Sequence, residues 1–177
     1  MQVNEALETN IALVYKSVFL GETASVLKGL GVEVQVCDVT IEKYNLNEII
    51  KIFCSHPELV IFVTDVQQSR ITRRVAEFCK LCSLKSKIMV IGRATSFIPQ
   101  YFMRAPFDAI HVNGDREAAI VSYVRYLRGE IGKSEISNLC LLEGKKKYIS
   151  NKIEWLDSQF WSTPDIFSLP IDAYQKL

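Results

Sequence analysis

Four short stretches of this chain are apolar almost throughout: Ile11 to Tyr15, Leu59 to Val63, Lys87 to Ile91 and Asp108 to Val112. A strand covered on both faces has nowhere to place a polar side chain, so such runs read as inner strands of a parallel sheet. Segments of helical periodicity lie between them. Ala24, Val26, Leu27 and Leu30 form the first apolar stripe, with Thr23 placed to cap it and Gly29 and Gly31 to end it. Leu46, Ile49, Ile50 and Phe53 form the second, which the His56-Pro57 pair terminates. Ile71, Val75, Phe78, Cys79 and Cys82 form the third, and Ala118, Ile120, Val121, Val124 and Leu127 the last, from Arg116 to Arg128. Phe97 to Arg104 has room only for a short helix.

One more strand is expected at Val32 to Cys37, where apolar and polar residues alternate strictly, as they do nearer a sheet edge. Strands alternating with helices, through connections too short for anything but right-handed crossovers, define an α/β chain. The expected fold is a doubly wound five-stranded parallel sheet, flavodoxin-like or Rossmann-like, in the order 2-1-3-4-5. After Gly129 the pattern changes. Asn138 to Leu142, a Glu143-Gly144-Lys145 turn and Lys147 to Ser150 read as a β-hairpin, and Ile153 to Leu177 has no periodicity. The expected organisation is an α/β domain over 1–132, then a hairpin and extended linker over 133–177.

Charge excludes some partners. With 21 Lys and Arg against 20 Asp and Glu, the net charge of +1 gives no basic footprint for nucleic acid or an acidic membrane. No apolar run reaches the roughly 20 residues of a membrane span, and Met1 to Asn10 is polar and acidic, unlike a signal peptide. A cytoplasmic protein is expected, with no nucleic-acid or membrane partner. An odd count of five cysteines, mostly in apolar segments, suits free thiols in a reducing compartment. Cys79 and Cys82 form a C-x-x-C, but with no second ligand pair nearby, buried thiols are a simpler reading than zinc or redox use.

In a doubly wound sheet, ligands bind beyond the carboxyl ends of the strands. The loops there are 16–22, 64–69, 92–96 and 113–117. A phosphoacceptor receiver needs acidic residues after the first strand and a lysine ending the fifth, whereas Tyr15-Lys16 and Val112-Asn113 stand there. A flavodoxin needs a hydroxyl- and glycine-rich cradle after the first strand, which Ser17, Gly21 and Thr23 supply only loosely.

A better match runs through most of the chain. Val90-Ile91-Gly92 and His111-Val112-Asn113-Gly114-Asp115-Arg116-Glu117 are similar to V-x-G-G and V-x-G-E-x-E loops. Trp155-Leu156-Asp157 and Asp165 to Tyr174 are similar to a connector of the form L-D-x-L-P-x-P-x-x-D-L-L-P-x-x-x-Y. On these residues the chain resembles the cobalamin-binding domain that precedes the catalytic core of B12-dependent radical S-adenosylmethionine enzymes.

The resemblance implies a cobalamin-binding module that positions a corrin for a radical core of methyltransferase type, in cis in a longer protein or in trans. Corrin contacts are then expected from Ser17, Phe19, Leu20 and Gly21 after the first strand and Asp38 after the second. Thr64, Asp65, Val66 and Gln67 follow the third, Gly92, Arg93, Ala94 and Thr95 the fourth, and Asn113, Gly114, Asp115 and Glu117 the fifth. Glycines there let the backbone approach a flat macrocycle. The iron–sulfur cluster and S-adenosylmethionine belong only to a partner domain, because no three cysteines here have C-x-x-x-C-x-x-C spacing. No catalytic residue and no protein metal ligand is expected in this chain.

Two places depart from the family. Where cobalamin-binding domains of the mutase and methionine synthase type carry D-x-H-x-x-G, this chain reads Lys16-Ser17-Val18-Phe19-Leu20-Gly21, so no histidine is expected beneath the cobalt, a departure that also occurs among cobalamin-dependent radical enzymes. Arg93 replaces the second glycine after Gly92, and either contacts the corrin or closes the pocket. These departures leave a rival reading: a degenerate, cofactor-free α/β domain used for protein or peptide interaction. Asp65, Gln67 and Asp115 have two readings each, ligand contact or loop cap. His111 reads as a sheet residue, His56 as a turn residue and Lys145 to Lys147 as a solvated hairpin tip. Trp155, Phe160, Trp161 and Phe167 either pack back on the domain, the favoured reading, or face a partner.

Overall fold

The computed structural model describes residues 18–38, 46–104, 106–156, 163–169 and 171. The chain divides into two compact units, Met1–Asn45 with Asp157–Leu177, and Leu46–Leu156. The expected boundary near residue 132 falls within the second.

In the first unit, residues 18–29 are helical (α1). The stripe read from the sequence is there, with Ala24, Val26 and Leu27 buried, but the helix is already formed by Val18. Thr23 is therefore a buried interior residue and not its cap, and Phe19, Leu20 and Gly21 lie on a helix where a loop was expected. Residues 163–169 belong to the same unit. Asp165 donates its backbone N–H to the Gly21 carbonyl at 3.0 Å and receives Lys28 Nζ at 2.5 Å, while Lys28 also reaches Ser168 Oγ at 2.8 Å. The Lys28 ammonium and the Ser168 hydroxyl hold the Asp165 carboxyl down at about 2. Residues 32–38 form no strand among the described residues, which corrects the alternating Val32 to Cys37 expectation; the Ile11 to Tyr15 run lies outside the described residues.

The second unit contains α2 (Leu46–Cys54), β1 (Leu59–Val63), α3 (Ser69–Cys82), β2 (Lys87–Ile91), α4 (Arg93–Phe97), α5 (Pro99–Phe102), β3 (Ala109–His111), α6 (Arg116–Leu127), β4 (Leu139–Glu143) and β5 (Lys146–Ile149). β1, β2 and β3 are parallel, with Leu59 opposite Lys87 and Met89 opposite Ala109. The hairpin does not stand apart as an extension. β4 joins β3 antiparallel and β5 completes the sheet, giving the order β1-β2-β3-β4-β5. The sheet is thus mixed and not wholly parallel; β1-β2-β3 is the 3-4-5 part of the expected 2-1-3-4-5 order, and the place of the first expected strand lies outside the described residues.

The runs of β2 and β3 are covered on both faces, whereas Leu59 to Val63 in β1 is half-buried along its length. Ile88, Val90, Ile110 and Cys140 pack with Phe53, Ala76, Cys79, Ala94, Phe102 and Phe107 in one core. Met89, Ile91, Ala109 and Leu139, at alternate positions, are as fully excluded from solvent. Asp108 ties the amino end of this layer together, accepting from Lys80 Nζ at 3.0 Å and from the Ile88 N–H at 2.9 Å. His56, with φ of 55°, turns the chain into β1, and its Nδ1 lies 3.0 Å from Ser83 Oγ. Cys79 is wholly buried, and burial pushes its thiol up to about 11, so it stays protonated.

Where β1 and β2 end, two backbones nearly touch. Thr64 donates its N–H to the Ile91 carbonyl at 2.9 Å, and a Cβ on Gly92 would stand 2.1 Å from the Thr64 carbonyl oxygen. Gly92 also has φ of +123°, which side-chain-bearing residues avoid. Gly92→Ala is therefore expected to cost about 3 kcal/mol or more, from strain and overpacking together. Urea unfolding checks this, and an unchanged midpoint would contradict the contact.

Candidate functional site

The carboxyl ends of three adjacent parallel strands define one rim. Thr64 to Gln67 follow β1, Gly92 to Thr95 follow β2, and Asn113 to Glu117 follow β3. Three of the four expected loops are thus brought side by side. Of the rest, Phe19, Leu20, Gly21 and the buried Asp38 lie in the first unit, and Ser17 lies outside the described residues.

Many rim residues are engaged by the fold itself. Thr64 is buried and its Oγ1 lies 2.9 Å from Thr72 Oγ1. Thr95, also buried, donates to the Gly92 carbonyl at 2.8 Å, and Ala94 belongs to the core. Asp65 caps the turn Val66–Gln68, accepting from the Val66 N–H at 2.6 Å. Asp115 caps α6 through the Glu117 N–H at 3.3 Å and also accepts from the Leu156 N–H at 3.1 Å. Both aspartates thus do the capping that was one of their two readings. Val66, Gln67 and Arg93 present exposed side chains.

The glycines are not openings left in the rim. The space beside Gly92 is taken by Thr64, and a Cβ on Gly114 would stand 2.5 Å from the Asn138 side chain. In the first unit, Gly21 meets Asp165 and Pro164 in the same way. Close approach by the chain's own backbone and side chains is what these positions serve.

Asn138 is the residue that sequence reasoning missed. It is fully buried, with φ of 61°, directly before β4. Its Nδ2 donates to the carbonyls of Asp115 at 2.9 Å and Glu154 at 2.7 Å, and its Oδ1 accepts from the Glu154 N–H at 2.8 Å. Segment 152–156 is thereby strapped beside the β3–α6 loop, and the Asp115 N–H donates to the Glu154 carbonyl. The one sequence signal was an asparagine ahead of an apolar strand, a residue that tolerates left-handed backbone. Trp155 on this strap is 74% exposed and Phe167 in the first unit 94%, so neither ring packs back as favoured; Phe160 and Trp161 lie outside the described residues.

Two buried polar atoms here have no partner among the described residues: His111 Nδ1 and Asn113 Oδ1. Native folds leave few such atoms, and each asks for an explanation. Burial lowers the His111 pKa, so its ring is neutral; its Nε2 lies 3.3 Å from the Gly114 carbonyl. Nearby, burial and the Asp115 carboxylate push the Glu117 carboxyl up to about 7, against the pull of Arg116. Although burial opposes its charge, Asp115 is held below its ordinary value by hydrogen bonds from Glu117 and the Leu156 N–H. Of the two carboxyls, Glu117 is thus drawn towards its protonated form and Asp115 towards its charged form.

These features define an α/β Rossmann-like layer whose strand-end loops form a rim where His111 Nδ1 and Asn113 Oδ1 have no partner among the described residues. The same fold occurs in solved structures of OxsB, described as a cobalamin-dependent S-adenosylmethionine radical enzyme. With aqua-cobalamin bound, OxsB matches 90% of this chain at a TM-score of 0.73 and 19% identity. With aqua-cobalamin and S-adenosylmethionine bound, the TM-score is 0.74 at 20% identity over the same share. The apo form gives 0.62 over 82%. The chain spans 22% of the OxsB chain in the first two matches. No family model matches the chain, and no curated protein matches it by sequence. No helix among the described residues is long and apolar enough to cross a membrane.

The raised Glu117 pKa has a stability consequence. A proton is bound more tightly in the folded state, so this contribution is fully present below 4.5 and is lost as pH rises through about 7. Wild-type stability is expected to fall across that window by on the order of 1–3 kcal/mol, and Glu117→Gln to flatten the fall. Denaturant melts at stepped pH measure it, and parallel curves for the two proteins would contradict the assignment.

Proposed function

We propose that this chain is a cobalamin-binding module serving a radical S-adenosylmethionine core, supplied by a longer polypeptide or by another protein. One observation carries the reading: the rim at β1, β2 and β3 holds an unpartnered buried acceptor, Asn113 Oδ1, in a fold shared with a cobalamin-bound enzyme. A macrocycle edged with amides brings N–H donors, which is what such an acceptor lacks. The residues fit at that point, and the exposed Val66, Gln67 and Arg93 give the same rim apolar and polar contacts.

When bound, the corrin supplies the methyl-transfer or radical chemistry, and the protein's part is to hold and orient it. In the window that is compared with D-x-H-x-x-G the histidine's place is taken by Val18, whose side chain would offer a cobalt no ligand. The iron–sulfur cluster and S-adenosylmethionine are assigned to the partner core. The chain's own residues bind and position, with Asn113 accepting, the neutral His111 beside it, and the Asp115–Glu117 pair keeping a proton at the mouth of α6.

A second reading is favoured by the filled glycines and the exposed Trp155: a cofactor-free domain that docks a partner through the strap. Mixing the purified protein with hydroxocobalamin, desalting and recording the visible spectrum separates the two. Retained corrin absorbance is expected, and a colourless protein would favour the docking domain. Asn113→Ala is expected to weaken retention roughly tenfold while leaving thermal stability unchanged or raised, because it removes an unsatisfied acceptor. Wild-type retention in that variant would remove Asn113 from the site.

A further inference from the structure

A groove between α3 and α5 has a chemistry of its own. Arg70, Arg73 and Arg74 fall at i, i+3 and i+4 and so share one face of α3. Together with Glu77 and with Tyr101 of α5 they line a cavity of about 240 Å³. None of these residues belongs to the strand-end rim.

The three guanidiniums are not equivalent. Arg73 is fixed on both sides, with its Nε 3.0 Å from Glu77 Oε1 and its guanidinium 5.9 Å from the centre of the Tyr101 ring. Arg70 and Arg74 are exposed and, among the described residues, have no side-chain hydrogen bond or ion pair. The lining thus carries three positive charges and one negative, a formal excess of +2. No acidic residue stands in the first turn of α3 to balance it. Cations one turn apart repel each other, and the helix dipole disfavours them at this end, so the cluster costs stability unless an anion offsets it. A local arrangement that opposes stability in this way marks a place where function has been favoured.

The geometry points to an anion site in which Arg70 and Arg74 bind a small phosphate monoester dianion, with Arg73, held by Glu77 and Tyr101, as the third donor. The charge of the ligand matches the excess on the lining. Planar guanidinium forks pair bidentately with phosphate oxygens. The volume is below the roughly 300–1,000 Å³ of pockets for drug-sized ligands, which suits a small head group. The site is independent of cobalamin and stands or falls without it.

The test is an NMR titration of the cobalamin-free protein with inorganic phosphate at about pH 8, where phosphate is doubly ionised, against sodium chloride at matched ionic strength. Saturable shifts of the Arg70, Arg73 and Arg74 side-chain Nε–H and of Tyr101, absent with chloride, are expected. Arg70→Ala with Arg74→Ala is expected to weaken binding at least tenfold, and Lys145→Ala with Lys146→Ala, at the hairpin tip, to leave it unchanged. Shifts that never saturate, that chloride reproduces, or that both double variants lose equally would overturn the site. All four substituted side chains are exposed, so folding of the variants is readily confirmed by their unchanged amide spectra.

Discussion

The buried amide of Asn138 determines what the rim can be. A primary amide has two donors and an acceptor with two lone pairs, and here it joins the β3–α6 loop and segment 152–156 by three hydrogen bonds. Left-handed backbone at this position aims the side chain into the space that Gly114 leaves. Because the residue is fully enclosed, losing the amide would leave the Glu154 N–H without its acceptor, at a cost of about 1–3 kcal/mol, while the carbonyls of Asp115 and Glu154 would keep the bonds from the Ala119 and Asp115 N–H groups. The hairpin is consequently part of the site: β4 and β5 complete the sheet, and the chain leaving them becomes the strap beside the α6 cap.

That closure sets the electrostatics. The strap brings the Leu156 N–H to Asp115 and helps to keep it charged, while Glu117, enclosed beside that charge, keeps its proton to about pH 7. Asn113, one residue before the glycine that makes room for Asn138, is left with an acceptor that nothing described satisfies. The rim meets its own needs at Thr64, Thr95, Asp65 and Asp115, and the Asn113 acceptor is the atom on which the proposed corrin contact rests.

Much of the layer was legible from periodicity. Ile88 to Ile91 are enclosed on both faces, and that enclosure is what emptied them of polar residues, whereas Leu59 to Val63 is a strand of apolar residues that are each half-buried. The helices α2, α3 and α6 were legible too, and His56-Pro57 ends α2 as expected, but Ile71 and Leu127 of the expected stripes are exposed, and α3 buries Ser69, Thr72 and Ala76 with Cys79. Sheet membership of the hairpin was not legible, because local alternation shows that two strands pair with each other and not which third strand they join. Nor was the early start of α1, since Gly21 within Lys16 to Glu22 reads as a loop signal while Val18 to Leu20 are already helical. The glycines were found for a reason that differs from their packing: spacing shows that a Cβ is unwelcome, and only coordinates show whether backbone, side chain or ligand excludes it.

The central claim is that the carboxyl ends of β1, β2 and β3 hold a corrin through the loop that carries Asn113. The most direct measurement is a crystal structure of the protein grown with hydroxocobalamin. Corrin density against the loops at 64–67, 92–95 and 113–117, with an amide nitrogen at hydrogen-bond distance from Asn113 Oδ1, is the expected result. Crystals without corrin, or corrin bound away from those loops, would contradict it.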